Sequence, residues 1–339
     1  MTTLLLTPSL GLGGGIERYA STLERAFAHC GESVQVLPLA RPSPITLGRA
    51  RFTCAVLRAS LYRRPTLLVA AHLGLLPVLF VASFLAPRAR VVLILHGAEI
   101  WGGMRPSRRL LIRHWKRLQL VTVSSFSAGA VSMMGRDSAV IRPALEPQWL
   151  EMLQAASQPH AQRDVDLLSV FRLSDWREKG AAELLEAHAA LAASRPLRTV
   201  LAGKGPIPEG LAESAERSGV EITCDLTDAK LAELYGRTKV FLLATRLQTG
   251  AIPSGEGFGI VLIEAQAAGA CVVAPASGGS SDAIDEGVTG WRRPPSTSAL
   301  INLINSLLDE DHSRAATEFV ARRFTQRRLM EEVKSFFMA

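Results

Sequence analysis

Residues Ser254–Gly290 read SGEGFGIVLIEAQAAGACVVAPASGGSSDAIDEGVTG, and the fold class follows from how this stretch divides. Gly255, Gly257 and Gly259 alternate with Glu256 and Phe258, making a tight loop whose backbone can approach a ligand closely. The apolar run from Ile260 predicts a helix over Gly259–Ala268, with its first amides pointing back at the loop. Such a helix start stabilises a phosphate by up to about 2 kcal/mol. Cys271–Ala274 predicts a short buried strand, and Gly278-Gly279 and Glu286–Gly290 predict two further turns. Loop, helix, strand and turn in that order form one unit of a parallel α/β sheet.

The same alternation runs outward to both ends. Strands are expected at Leu4–Thr7, Val34–Leu39, Leu67–Ala71, Val91–His96 and Leu120–Ser124, with helices between them at Ile16–His29, Arg49–Tyr62, Leu75–Leu85, Pro106–Arg117 and Phe126–Met134. It restarts with strands at Asp166–Phe171, Arg198–Gly203, Val220–Cys224 and Val240–Ala244. Their helices are Gly180–Ala193, Leu211–Ser218 and Ala229–Arg237, and Ser296–Asp309 and Gln326–Phe337 follow later. Between the two series, Arg142–Pro147 and the polar Gln154–Arg163 lack an apolar period and read as the linker. The expected architecture is α/β: two Rossmann-like doubly wound domains, 1–155 and 160–322, facing a central cleft.

A chain of 339 residues suits two domains of roughly 150 residues each. Met1–Leu150 holds 18 Lys+Arg against 6 Asp+Glu, a net of +12, and the remainder is −5, which gives the overall +7. A basic first half favours polyanions or an anionic surface. The four cysteines are scattered and form no CxxC pair, which reads as a reducing cytoplasm without structural zinc or disulfides. Thr66–Ala86 is 21 residues long and strongly apolar, but His72, Gly74 and Pro77 break it into a strand, a loop and a helix rather than a membrane span. No secretory leader is read at the start, where Thr3–Thr7 runs directly into a glycine-rich loop.

Two glutamates eight apart are weak evidence by spacing alone; a helix-dipole partner and a surface glutamate would explain them. Their setting decides otherwise. Glu256 sits in the loop, where sugar hydroxyls would lie, and Glu264 sits about one and a half turns into the helix, where it could hold a ribose diol. Together with AQAAGACVVA, Gly278–Asp282 and Glu286–Gly290, this text closely resembles the retaining glycosyltransferases of family 4, which have the GT-B fold. Ser281 stands where that family usually has Pro, and Glu286 where it has Asp.

Four further pieces fall in family order. Gly13–Arg18 resembles the family's first glycine loop, which borders donor phosphates and acceptor, so Gly14 and Gly15 become donor-site candidates. On its own this is a plain strand–turn–helix, because Ile16 occupies the third glycine position of a dinucleotide fingerprint. His96, in His96–Glu99, stands at the family's active-site histidine, where neutral imidazole could bond a sugar hydroxyl. Phe171–Leu173 and Glu178–Gly180 resemble the segment whose Arg and Lys clamp the donor diphosphate. Arg172 and Lys179 would then meet the charge left as the sugar–phosphate bond breaks, each contact worth on the order of 2.7–4 kcal/mol. Phe171 replaces a usual Gly, and the interval from Arg172 to Lys179 is longer than usual. Leu201–Pro206 matches a strand-end turn facing the nucleotide, through Gly203 and Gly205.

The resemblance implies catalytic roles for His96, Arg172, Lys179 and Glu256. It implies donor contacts from Gly14, Gly15, Gly203, Gly205, Glu256, Gly257, Phe258, Gly259, Ile260 and Glu264. It also implies that the tail 323–339 crosses back to the first domain as a helix. No cofactor and no metal are expected. Asp164-Val165-Asp166 and Asp309-Glu310-Asp311 fit a bare metal-binding pattern but lie far from the clustered site in sequence.

Arg105, Arg108, Arg109, Arg113, Lys116 and Arg117, with Trp115 and neighbouring leucines, read as a basic amphipathic helix facing an acceptor or an anionic membrane. Nucleic acid is not expected, since no aromatic platform accompanies the charge. The expected activity is transfer of a hexose-type sugar from a GDP- or UDP-linked donor to a glycan or lipid-linked acceptor, in cell-surface polysaccharide or glycolipid synthesis. The expected location is cytoplasmic, peripheral on the inner face of the plasma membrane. A non-catalytic nucleotide-sugar-binding subunit and a nucleotide-sugar epimerase are the alternatives.

Overall fold

Short Leu-, Val- and Ile-rich runs form parallel strands here because helices cover both sheet faces, so neither face needs polar residues. The computed structural model describes residues 2–8, 14–39, 45–102, 104–248, 254–294 and 297–338. Gly11 and Gly13 of the first glycine loop, residues 249–253 of the loop before Ser254, and Ser296 lie outside the described residues.

The chain divides into two units: Met1–Ala144 with Gln326–Ala339, and Leu145–Thr325. The first contains β1 (Thr2–Thr7), β2 (Ser33–Pro38), β3 (Leu67–Ala70), β4 (Arg90–Leu95), β5 (Leu118–Thr122) and β6 (Ala139–Val140). Their order is β2-β1-β3-β4-β5-β6, with every neighbouring pair parallel. The second contains β7 (Val165–Arg172), β8 (Thr199–Lys204), β9 (Glu221–Cys224), β10 (Thr238–Leu242), β11 (Cys271–Pro275) and β12 (Gly290–Arg293). Their order is β12-β11-β10-β7-β8-β9, again all parallel. Each sheet reverses its winding once, between β1 and β3 and between β7 and β10. In open α/β sheets, ligands sit outside the carboxyl ends of the strands at such a reversal.

The apolar run Thr66–Ala86 becomes β3, a short 3-10 turn at Leu73–Leu75 and the helix Leu76–Leu85. The break comes at His72, whose Nδ1 accepts the Gly74 amide at 2.9 Å. Leu76, Leu79 and Ala82 are buried, while Val81 and Phe84 on the outer side remain exposed. Among the described residues, no helix is long and apolar enough to cross a membrane.

The helices Pro147–Ala156 and Ser313–Arg323 were not anticipated, and neither were β6, β12 and the short helix Ala98–Trp101. The first of these helices occupies part of the expected linker and belongs to the second unit, so the division falls at Ala144–Leu145 rather than near 155. The helix Gln326–Phe337 belongs to the first unit. Gln326 donates to the Thr22 carbonyl at 2.9 Å, Phe337 packs edge-on to Phe27, and Arg90 donates to the carbonyls of Phe336 and Phe337.

The polar stretch after Ala156 is ordered by one buried cation. Arg163 is 3% exposed and donates to the carbonyls of Gln158 (2.9 Å), Thr238 (2.7 Å) and Ala268 (3.1 Å). Burial pulls its pKa down to about 10, so it stays charged at neutral pH. Replacing Arg163 by Met would leave these carbonyls without their donor, at a cost of about 2–3 kcal/mol. Urea unfolding of the variant should show that loss, and an unchanged midpoint would contradict it.

Candidate active site

The second unit builds its site where its winding reverses. Lys179 follows β7 and Glu256 follows β10, and their side chains meet: Lys179 Nζ donates to Glu256 Oε2 at 2.9 Å, with side chains 25% and 15% exposed. The Thr245 hydroxyl lies 3.5 Å from the same oxygen. Gly180 adopts φ +82° and starts the helix Ala181–Ala192; a Cβ there would collide with the Ala244 backbone. Only glycine lets the Lys179 loop close over the end of β10.

The glycines of the quoted stretch have distinct tasks. Gly259, at φ +90°, starts the helix Ile260–Ala267. Gly278, at φ +111°, lies against Glu256, where a Cβ would fall 2.8 Å from the Glu256 carbonyl oxygen. That carbonyl accepts the Gly279 amide at 2.7 Å. The two glycine turns are therefore hydrogen-bonded to each other, which fixes the backbone that carries Glu256. Gly257 and Ile260 are half-buried beside it.

Several of the expected donor-site residues also make contacts within the protein. Phe258 is 3% exposed and packs against Phe324 at 5.6 Å, so its ring serves the core and only its backbone borders the loop. A Cβ on Gly203 would strike the Phe171 carbonyl and Leu173, so close packing of β8 on β7 itself demands that glycine. Gly205, at φ +93°, has open space around its Cβ position and donates its amide to Asp225 at 3.0 Å. Glu264 is 2% exposed, with one oxygen taking the Trp149 indole N–H (3.0 Å) and the other the Tyr235 hydroxyl (3.1 Å). Glu286 pairs with Arg292 at 2.9 Å and steadies the turn before β12.

Arg172 ends β7 with its side chain 57% exposed and 3.8 Å from Asp175 of its own turn. It is not drawn into the Lys179–Glu256 pair. Both acidic triplets are engaged structurally: Asp164 with Arg198 and Arg237, Asp166 with Lys239, Asp309 with Arg195, and Asp311 on the Ser313 amide. The arginines hold Asp164 at about 2.

In the first unit, His96 lies just past β4, half-buried. Its Nε2 donates to the Ala71 carbonyl at 2.8 Å, which leaves Nδ1 as the acceptor of the neutral ring. Its backbone amide is held by Glu99 at 2.7 Å, its ring meets Tyr19 edge-on at 5.7 Å, and His72 stacks at 6.4 Å. His72 escaped the sequence reading because it stood out only as a break in an apolar run, yet its place just beyond a central strand was the available signal. Gly14 caps the helix Gly15–His29, and its carbonyl accepts the Glu17 amide at 3.0 Å.

The basic segment is shorter as a helix than expected, Pro106–His114. Arg105, Arg109, Leu110, Arg113 and Lys116 are exposed, and Arg108 is half-buried. Trp115 leaves the surface and packs edge-on to Phe80 at 5.0 Å. Arg117 turns to the carbonyls of Ser83, Ala86 and Ala89. Half-buried Trp115 and exposed Arg117 therefore also tie this segment to the helix Leu76–Leu85 and the turn after it.

The fold and site define a doubly wound α/β protein with a part-buried ion pair at a strand reversal, the place where such sheets bind ligands. Residues 153–323, half of the chain, match the family described as Glycosyl transferases group 1, and the chain belongs to that family: it is a glycosyltransferase. Among solved structures it is similar to HepE of Anabaena in complex with UDP, at 21% identity over the whole of both chains and TM-score 0.71. It is also similar to the lipopolysaccharide outer core galactosyltransferase WaaB (13% identity, 100% of this chain and 99% of that one, TM-score 0.73). A third is sucrose-phosphate synthase of Thermosynechococcus elongatus, at 16% identity, 100% and 98% coverage and TM-score 0.74. These neighbours share the GT-B fold, so the two sheets are its two Rossmann-like halves. No curated protein sequence matches the chain significantly.

Burial is the largest influence on His96 and lowers its pKa below 6.5, against the raising effect of Glu99. A histidine depressed in the folded state is protonated first on unfolding, so its contribution is present above about pH 6.5 and is lost as pH falls. NMR titration should place the His96 midpoint below that of a free histidine; a midpoint at or above 6.5 would contradict this.

Proposed function

We propose that this glycosyltransferase is a retaining enzyme of family 4 that moves a hexose-type sugar from a UDP- or GDP-linked donor to a glycan or lipid-linked acceptor in cell-surface polysaccharide or glycolipid synthesis. The observation that carries this reading is the Lys179–Glu256 pair at the reversal between β7 and β10. HepE, of similar fold, is described in complex with UDP, which supports a nucleotide-sugar donor. In the proposed reaction the bond from the anomeric carbon to the diphosphate oxygen breaks, and the acceptor oxygen bonds to that carbon on the same face. The acceptor's proton passes to the leaving phosphate.

Each residue then has a task. Lys179 offers the N–H donors that Glu256 does not take to the departing phosphate, and Arg172, exposed at the end of β7, supplements it. Glu256 orients the sugar, and His96 Nδ1 accepts from a sugar hydroxyl. The cations carry the leaving charge, so no metal is invoked. Glu264, held by the Trp149 indole N–H and the Tyr235 hydroxyl, would face the donor ribose. The exposed Arg105, Arg109, Arg113 and Lys116 around Leu110, which is 60% exposed, suit the anionic inner face of the plasma membrane.

The purified chain should hydrolyse or transfer sugar from one member of a panel of UDP- and GDP-sugars, with the anomeric configuration of the product retained. Glu256→Gln should lower turnover by about 10²–10³-fold without unfolding the protein. Tight donor binding without turnover would favour a non-catalytic binding subunit, and conversion of the donor to its epimer would favour an epimerase. Replacing Arg105, Arg109 and Arg113 by Ser should abolish co-flotation with phosphatidylglycerol vesicles at low salt; undiminished flotation would remove the membrane role from this helix.

A further inference from the structure

Arg246 lies just beyond β10, in a loop to which neither the sequence motifs nor the proposed reaction assigns a phosphate contact. Its backbone amide donates to the carbonyl of Glu178, the residue before Lys179, at 3.2 Å. The residue before it, Thr245, approaches Glu256. Arg246 is thus one residue removed from both members of the Lys179–Glu256 pair.

Among the described residues its side chain is anchored at one end only. The guanidinium Nε pairs with Glu183 Oε1, and Glu183 is 3% exposed whereas Arg246 is 52% exposed. Glu183 stands in the first turn of the helix Ala181–Ala192, where the helix dipole favours a carboxylate. Its second oxygen, Oε2, is buried without a hydrogen-bond partner among the described residues. A buried carboxylate left half-satisfied is costly to the fold. What it secures is the direction of one arginine, whose two terminal nitrogens have no partner among the described residues and form a fork suited to phosphate oxygens. Arg172 has no such support, being exposed and 3.8 Å from an exposed Asp175.

We propose that Arg246, oriented by Glu183, is a diphosphate-binding cation of the donor site, acting beside Lys179, and that Glu183 is its positioning residue. This rests on the reading of the second unit as a nucleotide-sugar site.

The test is calorimetric binding of UDP and GDP, each set against uridine or guanosine, to the full-length chain. Arg246→Met should weaken the nucleoside diphosphate that the wild type binds by about tenfold or more, while leaving the nucleoside unchanged. Arg246→Lys should recover part of the loss, and Glu183→Gln should show a smaller loss of the same kind. If Glu183 without its partner prevents Arg246→Met from folding, the double variant Glu183→Gln/Arg246→Met removes the unpaired charge and carries the same comparison. Unchanged diphosphate affinity, or equal weakening of diphosphate and nucleoside, overturns the proposal and leaves the donor-site reading standing. A wild type that binds neither UDP nor GDP overturns both.

Discussion

A lysine ammonium and a glutamate carboxylate, part-buried and 2.9 Å apart, stand where the second sheet reverses its winding. Much of the local architecture is explained by the need to hold them there. Gly180 lets one loop pass over Ala244, and the amide of Gly279 secures the carbonyl of Glu256. Removing either charge would leave its partner part-buried and uncompensated, a more serious loss than breaking a surface pair. The pair therefore couples the order of the strands to the chemistry the site can perform. In the proposed reaction a phosphate would take the Lys179 N–H donors that Glu256 leaves, and a sugar hydroxyl would share the Glu256 carboxylate with Lys179.

The two units solve the same problem with different strand orders. In each, short apolar strands demand helices on both faces, and the winding that provides them creates one reversal. The first unit gathers His72 and His96 at the carboxyl ends of β3 and β4, and the second gathers its ion pair between β7 and β10. Placement of polar groups at strand ends is thus a consequence of topology. The identity of those groups is what suits the family's chemistry.

Strand and helix alternation was legible because a strand buried on both faces leaves an unmistakable apolar run, as at Leu67–Ala70 and Cys271–Pro275. Pairing of Lys179 with Glu256 was not, since it joins residues 77 apart that share no motif. Phe258 and Gly203 carry packing roles that the sequence did not reveal. Both sit in ligand-like motifs, yet the ring packs on Phe324 and the glycine is required by the neighbouring strand. Local text cannot distinguish a glycine kept for a ligand from one kept for a packing contact. The helix Pro147–Ala156 was hidden for a related reason: its proline start resembled a linker, while its anchor, Trp149 on Glu264, lies 115 residues away.

The central claim is that the Lys179–Glu256 pair receives a nucleotide-sugar donor, and a ligand that binds only the folded state raises its stability by mass action. Thermal unfolding of the wild type and of Lys179→Met against a nucleotide-sugar panel measures this directly. One donor should raise the wild-type transition and leave that of the variant unmoved. A shift of equal size in both proteins, or none in the wild type with any donor, would contradict it.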